Sequence, residues 1–288
     1  MAGYEIRRVG GFPQTWVPPG HFYSPIVDIN ELMKDKERVF SPNHHMLDIN
    51  LRESQQLEMV EKLKEFYQEL PFTELKSDVG LYYYENPFYS YGDAIVYGCM
   101  LRHMQPRRLI EFGAGFSSCV ALDINRMFFQ NRINCTFIDP YPERLQSLLS
   151  ESDYCATIIK SRAQDIDLSL FETLKPNDIV FIDSTHVSKA GSDVNFHIFE
   201  LLPRLPSGTL IHFHDVFYPF EYPESWFFEE NRSWNENYLL RAFLSGNASY
   251  EIIFFNDFMR LKHLPLMINT MPLFQKDPGG ALWIRKSS

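Results

Sequence analysis

The sequence lacks the features that mark nucleic-acid-binding and membrane proteins. Its 27 lysines and arginines are outnumbered by 37 aspartates and glutamates, so the formal net charge is -10 at pH 7. Binding a phosphate backbone requires clustered positive charge, and without a basic run we expect no nucleic-acid partner. No stretch approaches the ~18 apolar residues of a membrane span, and the N-terminus lacks the apolar core of a signal peptide. We therefore expect a soluble, cytoplasmic protein with no membrane partner.

Cysteine is scarce, and the sequence contains no C-x-x-C pair. The cysteines stand in or beside apolar segments, which indicates buried thiols in a reducing cytosol. They are Cys99, Cys119, Cys135 and Cys155. What is present is an ordinary globular composition, with 45% hydrophobic and 22% charged residues among 288. Such a chain buries a core, either as one large α/β domain or as a core domain with an appended segment.

The N-terminal third of the chain differs in pattern from the rest. Closely spaced prolines prevent any long helix at first, so residues 1 to about 50 are predicted to be irregular. From Arg52 to Leu70 apolar residues recur every three or four positions, which predicts one amphipathic helix. Residues 83–104 are aromatic and then helical. We predict an N-terminal cap on the substrate side over residues 1–90 and a core domain over residues 91–288.

Within the core domain, strand patterns alternate with helix patterns. The predicted strands are Arg107 to Phe112, Cys135 to Asp139, Thr157 to Ser161, Asp178 to Asp183, Thr209 to Asp215, Tyr250 to Phe255 and Ala281 to Lys286. Helices are predicted between the first five strands, near residues 117–130, 142–150, 168–174 and 189–204, and again at 235–245. This alternation indicates an α/β fold with a parallel sheet and helices on both of its faces.

The first of these strands ends on an acid and breaks into a glycine turn, in the run Glu111-Phe-Gly-Ala-Gly115. Glycines let the backbone approach a ligand closely, so the turn predicts a nucleotide site and the acid a hydrogen-bond acceptor for that ligand. The third glycine of the dinucleotide fingerprint is missing. Asp139 ends the next strand, 24 residues after Gly115, near the offset of an acid that binds ribose hydroxyls. The alternative for Asp139 is a helix cap ahead of Pro140.

Acids and histidines follow the fourth and fifth strands, Asp183 and His186 on one and His214 and Asp215 on the other. The carboxyl ends of parallel strands meet at one edge of a sheet, so these side chains are predicted to converge. Asp183 and Asp215 suit a divalent cation such as Mg2+, and His186 or His214 suits a general base near neutral pH. His212, deeper in its strand, is predicted to be a packed core histidine.

Two other segments each allow two interpretations. Gln164 and Asp165 follow the third strand, where they either contact the edge of an adenine or only form a turn. Residues 218–238 are rich in tryptophan, tyrosine and phenylalanine. They form either a substrate lid or the contact surface of a dimer.

The order of these strand ends resembles the class I S-adenosylmethionine-dependent methyltransferases, over about residues 90–286. The glycine turn resembles the family's first motif, Asp139 its ribose-binding acid, and residues 163–165 its adenine-contacting loop. The ends of strands four and five resemble a small-molecule O-methyltransferase subgroup in which such acids often bind Mg2+. This chain has Ser184-Thr185 and His214-Asp215 where relatives have Gly-Asp and Asp-Asn.

The resemblance implies a Rossmann-like sheet of seven strands in the order 3-2-1-4-5-7-6, mostly parallel with the last strand antiparallel. It implies S-adenosylmethionine as the cofactor of the domain over residues 91–288, bound by Glu111, Gly113, Ala114, Gly115, Ser117, Asp139, Pro140, Gln164, Asp165 and Asp183. It further implies a catalytic group of His186, His214 and Asp215, and a divalent cation, Mg2+ or another, held by Asp183 and Asp215.

We therefore expect methyl transfer to a hydroxyl of a small polar or sugar-like molecule, which is the expected partner. Most of the rate enhancement is expected from positioning, because the methyl sulfonium is already activated. One alternative is an NAD(P)-dependent oxidoreductase that uses the same glycine turn. Another is a non-catalytic binding or assembly protein that retains the fold. Whether the chain forms a homo-oligomer is left open.

Overall fold

The protein is described here by a computed structural model that covers residues 8–9, 12–13, 15–43, 46–149 and 156–287. The chain forms two compact units, Met1–Ser41 with Tyr222–Ser233 and Pro42–Glu221 with Trp234–Ser288. Residues 42–90 thus belong to the second unit, and the predicted functional boundary at residue 90 stays a prediction. Cys155 lies outside the described residues, whereas the other three cysteines are buried, as expected, and form no disulfide within the described part of the chain.

In the described residues, helices and strands follow one another along the chain. The strands are β1 Arg8–Val9, β2 Phe12–Pro13, β3 Arg108–Phe112, β4 Asn134–Ile138, β5 Thr157–Ile159, β6 Ile179–Ile182, β7 Leu210–His214, β8 Tyr250–Phe255 and β9 Ala281–Lys286. The helices are α1 Ile29–Lys34, α2 Lys36–Val39, α3 Glu53–Tyr67, α4 Tyr91–Met104, α5 Phe116–Phe129, α6 Glu143–Leu148, α7 Ser169–Glu172, α8 Asp193–Phe196, α9 Leu202–Arg204, α10 Glu224–Phe228, α11 Glu236–Leu244 and α12 Asn256–Thr270. A π-helical segment, His197–Leu201, joins α8 to α9, and 3₁₀ turns span Ala163–Asp165 and Pro272–Gln275.

The first unit is built from short elements. β1 pairs with β2 in antiparallel fashion, and the side chain of Asp28 caps α1 by accepting the N–H of Asn30 at 2.8 Å. α10 belongs to this unit, and its Phe227 and Phe228 pack on Phe40, with ring centroids 5.6 and 6.0 Å apart. The longest helix described in this unit has six residues, which agrees with the effect expected of its prolines.

The second unit contains the predicted sheet. Its strand order is β5-β4-β3-β6-β7-β9-β8. The first five of these strands pair in parallel, whereas β9 is antiparallel to both β7 and β8. Counted within the sheet, this is the order 3-2-1-4-5-7-6 with an antiparallel last strand, so the predicted fold is confirmed. The topology brings the carboxyl ends of β3, β4, β6 and β7 to one edge.

The central strands are nearly continuous apolar runs, and such runs favour the middle of a sheet, where both faces are covered. All four residues of β6 and all five of β7 are buried, as expected for strands covered by helices on both faces. α4 is buried almost throughout, and only Arg102 and His103 in it are partly exposed. α3 buries one face through Met59, Val60 and Leu63, which confirms the amphipathic helix predicted in this region.

α12 was not predicted from the sequence. Pro265 lies inside it, and His263 has non-helical backbone angles, φ -135° and ψ 27°, that mark a kink. Proline cannot donate a backbone hydrogen bond and usually ends a helix. Here two helical segments continue on either side of the kink. Among the described helices, none is both long enough and apolar enough to span a membrane.

Candidate functional site

A cavity of about 480 Å³ lies at the carboxyl edge of the sheet. Its walls come from the turn after β3, the end of β4, the 3₁₀ turn after β5 and the loop after β6. Predicted cofactor-binding residues that line it are Gly113, Ala114, Gly115, Ser117, Asp139, Pro140, Gln164 and Asp183. Its location is the one at which open parallel sheets bind their ligands.

The two glycines of the turn serve different purposes. Gly113 has φ +81°, and a Cβ built on it would lie 1.7 Å from the carbonyl oxygen of Asp183. Only glycine fits there, because both the backbone angle and the neighbouring strand exclude a side chain. Gly115 has φ -175°, an extended conformation open to any residue, and its Cβ would meet the flexible side chain of Arg144 at 3.3 Å. The conformational requirement predicted for both glycines therefore holds only at Gly113.

Glu111 is completely buried in β3. Its Oε1 accepts hydrogen bonds from the hydroxyls of Ser117, at 2.6 Å, and Ser118, at 2.8 Å. Its Oε2 is buried and has no hydrogen-bond partner among the described residues. Burial raises the pKa of Glu111 to about 8, although the two serine hydroxyls act in the opposite direction. Glu111 is not among the residues that line the cavity, so its predicted contact with a cofactor stays a prediction.

Asp139 braces the glycine turn. Its Oδ2 accepts the N–H of Ala114 at 2.9 Å, and its Oδ1 accepts the N–H of Tyr141 at 2.7 Å. Neither bond caps α6, whose N-cap residue is Pro142, so the helix-cap alternative is wrong. The ribose contact stays a prediction, and Asp139 lies in the cavity wall.

The 3₁₀ turn after β5 separates the two polar residues expected there. Gln164 lines the cavity, and its amide donates to the carbonyl of Gly191 at 2.8 Å. Asp165 is exposed and forms an ion pair with Arg162 at 2.7 Å. Of the two, only Gln164 is among the residues that line the cavity.

The acids and histidines that end β6 and β7 converge as predicted from parallel strands. His186 Nε2 lies 3.3 Å from Asp183 Oδ1 and 3.6 Å from Asp215 Oδ2. His214 Nδ1 lies 3.4 Å from Asp183 Oδ1 and 3.7 Å from Asp215 Oδ2. The group Asp183, His186 and Asp215 places one ligand atom from each residue within 4.8 Å of the others, a spacing suited to a metal ion. We call these four residues the acid–histidine cluster.

Each histidine of the cluster has a second, buried carboxylate on its far nitrogen. His186 Nδ1 lies 2.9 Å from Glu236 Oε2, and His214 Nε2 lies 3.3 Å from Asp93 Oδ2. Glu236 and Asp93 are 1% and 5% exposed, so water does not screen the charge of either carboxylate. Such pairs fix which ring nitrogen faces the site.

The electrostatics follow from this crowding of opposite charges. Burial lowers the pKa of His186, but hydrogen bonds to Asp183 and Glu236 outweigh it and raise the value to about 10. Burial raises the pKa of Asp93 to about 6, against the opposing effect of His214. The pKa of Asp183 falls well below its ordinary range, since the nearby imidazoles outweigh its desolvation. The carboxylates around the two histidines therefore favour positive charge within the cluster.

His212 differs from its neighbour two residues on. It is fully buried, and its ring stacks on Phe181 with centroids 4.0 Å apart. Desolvation lowers its pKa well below the ordinary value, so it stays neutral. This is the packed core histidine that the sequence predicted.

The sequence predictions missed Asp93, Glu236 and Ser118. Asp93 is an isolated acid in the apolar stretch that becomes α4, and Glu236 is an acid within the aromatic segment. An acid inside an otherwise apolar helix is a signal for a buried charged partner, but the sequence does not say which one.

The aromatic segment 218–238 is divided between the two units. Tyr218 and Phe220 are buried, with ring contacts to Phe255, whereas α10 packs within the first unit. Trp234 stacks near His186, with ring centroids 4.4 Å apart. Whether the segment is a lid or an interface stays open.

Comparison with known proteins places this site in context. Residues 110–216 match the family model of a methyltransferase domain. An uncharacterised protein of Archaeoglobus fulgidus is 36% identical over 178 residues, which cover 56% of this chain and 75% of that protein. The structure of a Podospora anserina methyltransferase bound to SAH is 16% identical, with a TM-score of 0.45 over 91% of this chain and 99% of that one. The O-methyltransferase TomG of Streptomyces achromogenes, in complex with SAM, is 15% identical, with a TM-score of 0.44 over 80% and 90%.

Proposed function

Since the chain belongs to the class I S-adenosylmethionine-dependent methyltransferases, we propose that it methylates a hydroxyl oxygen of a small polar or sugar-like molecule, assisted by a divalent cation. The observation that carries this proposal is the acid–histidine cluster at the end of β6 and β7. It gathers cation ligands and bases around Asp183, which also lines the cavity.

The cavity fits the cofactor. Its volume of about 480 Å³ suits a nucleotide-sized ligand, and it lies at the carboxyl edge of the sheet beside the glycine turn and Asp139. The proposed cofactor contacts come from Glu111, Gly113, Ala114, Gly115, Ser117, Asp139, Pro140, Gln164 and Asp183. S-adenosylmethionine supplies a methyl group already activated on a sulfonium. The chain's contribution is to hold that group in line with the acceptor oxygen.

The cluster fits a divalent cation. Asp183 and Asp215 offer carboxylate oxygens, the ligands that hard cations prefer, and both lie beside the imidazoles of His186 and His214. A cation held by Asp183 and Asp215 would supply a Lewis acid that could orient the acceptor hydroxyl and lower its pKa. A cation at the cluster would also favour the neutral form of the histidines, and one of them, His186 or His214, would then accept the hydroxyl proton as the oxygen attacks the methyl carbon. The carboxylate on its far nitrogen, Glu236 or Asp93, stabilises the resulting imidazolium.

Calorimetric titration tests the cofactor class. We expect S-adenosylhomocysteine to bind and NADH not to bind, because the turn lacks the third glycine of the dinucleotide fingerprint. Tight binding of NADH without binding of S-adenosylhomocysteine would contradict the proposal and favour an oxidoreductase.

Product analysis tests the acceptor atom. The enzyme is incubated with S-adenosylmethionine labelled with ¹³C in the methyl group, a divalent cation and a panel of sugars and small polyols. We expect a ¹³C signal of a methyl ether, reduced at least about 100-fold in Asp215→Asn, since removing a cation ligand removes the orienting charge. An unchanged product yield in that variant would argue against any catalytic part for the cluster.

A further inference from the structure

The cation site of the proposed function has two acidic ligands, and an imidazole stands beside both. Resting on that site, we propose that His186 is its third ligand, oriented by Glu236. The site then takes a borderline transition ion such as Mn2+, Fe2+ or Co2+ in preference to Mg2+. His214 is left as the base.

The distances carry the first step. His186 Nε2 lies 3.3 Å from Asp183 Oδ1 and 3.6 Å from Asp215 Oδ2, and one ligand atom from each residue lies within 4.8 Å of the others. With metal–ligand bonds of about 2.1 Å, adjacent donors in octahedral or tetrahedral coordination are roughly 3.0–3.4 Å apart. The three atoms are therefore close to a coordination geometry without any large movement.

The second step is the orientation of the ring. His186 is 3% exposed and Glu236 is 1% exposed, and Nδ1 lies 2.9 Å from Glu236 Oε2. With Nδ1 on this carboxylate, Nε2 is the nitrogen that faces the two aspartates, and a bound cation would replace the proton on it. A carboxylate on the far nitrogen is the usual companion of a metal-binding histidine.

Backbone hydrogen bonds also hold His186 next to Glu236. The His186 carbonyl accepts the N–H groups of Asn235 and Glu236, each at 3.1 Å, and His186 has φ +56°. A left-handed conformation at a non-glycine residue is strained and persists only where the surroundings require it. In this conformation the ring lies between Glu236 and the aspartates.

An independent observation concerns the second histidine of the cluster. His214 is 6% exposed, and its Nδ1 is buried without a hydrogen-bond partner among the described residues. That nitrogen lies 3.4 Å from Asp183 Oδ1 and 3.7 Å from Asp215 Oδ2. A buried, unpartnered nitrogen that faces the same two oxygens points to a ligand between them.

The donor set decides the kind of cation. Carboxylates alone suit Mg2+ and Ca2+, whereas imidazole favours first-row transition ions, and affinity rises from Mn2+ towards Co2+. Two aspartates and one histidine therefore favour Mn2+, Fe2+ or Co2+. The family resemblance implied only Asp183 and Asp215 as ligands, and His186 adds a third of a different chemical type.

The test uses Mn2+ bound to the full chain in the presence of S-adenosylhomocysteine. Pulsed electron paramagnetic resonance detects ¹⁴N coupling when an imidazole binds the ion. We expect the coupling in the wild type and in His214→Gln and its loss in His186→Gln. Equilibrium titration should show one Mn2+ per chain, bound at least tenfold more tightly than Mg2+.

Glu236→Gln provides a second variant that keeps the histidine. Loss of a carboxylate behind a metal-binding histidine typically weakens metal affinity about 10–100-fold, and we expect that loss for Mn2+ with the ¹⁴N coupling retained. Asp257→Asn is the matched control, because Asp257 is equally buried but pairs with Arg260 away from the cluster. It should leave the affinity for Mn2+ unchanged.

The outcomes separate this inference from the proposed function. If Asp215→Asn abolishes Mn2+ binding but ¹⁴N coupling survives in His186→Gln, the inference is wrong and the cation site stands. Coupling lost in His214→Gln instead, or Mg2+ bound as tightly as Mn2+, also overturns it. If the wild type binds S-adenosylhomocysteine but neither ion, the inference and the cation part of the proposed function both fail, and the methyl-donor site remains.

Discussion

Single residues set the chemistry of the site through unusual conformations. His186 and Asp215, at the ends of two neighbouring strands, both have left-handed backbone angles, φ +56° and +57°. Gly113 shares that region with φ +81°. Strained conformations of about 1–3 kcal/mol each persist where function holds them. In this protein they turn side chains and bare backbone towards the carboxyl edge of the sheet.

The two glycines of the turn give a matched pair of substitutions. Gly113→Ala forces a Cβ to within 1.7 Å of the Asp183 carbonyl oxygen and keeps a disfavoured backbone angle, so we expect at least about 2 kcal/mol of destabilisation. We also expect at least tenfold weaker binding of S-adenosylhomocysteine. Gly115→Ala meets only a flexible arginine side chain at 3.3 Å and should change the unfolding temperature little. Thermal unfolding and calorimetry measure both effects, and equal results for the two variants would contradict this account.

At the scale of elements, the loop between β6 and α8 carries the cluster's His186 and is fastened at both ends. Thr185 Oγ1 donates to Asp193 at 2.6 Å. Ser188 is held by Asn235, which accepts its N–H at 2.6 Å and donates to its carbonyl at 3.2 Å. The start of α11 thus positions a loop that β6 alone would leave free.

Asn235→Ala removes both bonds from α11 to Ser188. We expect a loss of about 1–3 kcal/mol in local stability, because the backbone groups lose their partners. Amide hydrogen exchange over residues 185–189 should accelerate. Asn247→Ala is the control, since Asn247 also makes two side-chain bonds to the backbone, at the opposite end of α11. Slow exchange of the loop in Asn235→Ala would show that other contacts hold it.

At the scale of the whole molecule, the sheet buries a carboxyl at its centre. Glu111 pairs with Phe137 of β4 and Phe181 of β6, and its pKa is raised to about 8 by burial. In the unfolded chain the group ionises near its ordinary value of 4.5. Between these values the folded state keeps a proton that the unfolded state has lost, so rising pH destabilises the fold.

Glu111→Gln measures this effect, because glutamine does not titrate. From about pH 5 to about pH 8.5 we expect the stability of the wild type to fall relative to the variant by roughly 4 kcal/mol. Thermal unfolding at each pH, without cofactor, gives the difference. Glu143→Gln is the control: Lys160 lowers the pKa of that exposed carboxyl, so its difference curve should not fall as pH rises. Parallel curves for the wild type and Glu111→Gln would contradict a raised pKa.

The sequence pattern by itself determined the alternation of strands and helices and which polar side chains end the strands, whereas the order of the strands in the sheet came from the family resemblance. Apolar runs mark buried strands, and strand ends share an edge, so the convergence of Asp183, His186, His214 and Asp215 was predictable. α12 was missed, because Pro265 interrupts the helical pattern of the sequence.

Tertiary structure alone decided which groups stand behind the reactive ones. Asp93 lies 121 residues from His214, and Glu236 lies 50 residues from His186. Local periodicity fixes the face on which a side chain lies. A contact between distant residues depends on how α4 and α11 pack against the sheet, and no spacing in the sequence records that. The tertiary structure therefore decided that each imidazole has a buried carboxylate on one ring nitrogen and faces Asp183 Oδ1 and Asp215 Oδ2 with the other.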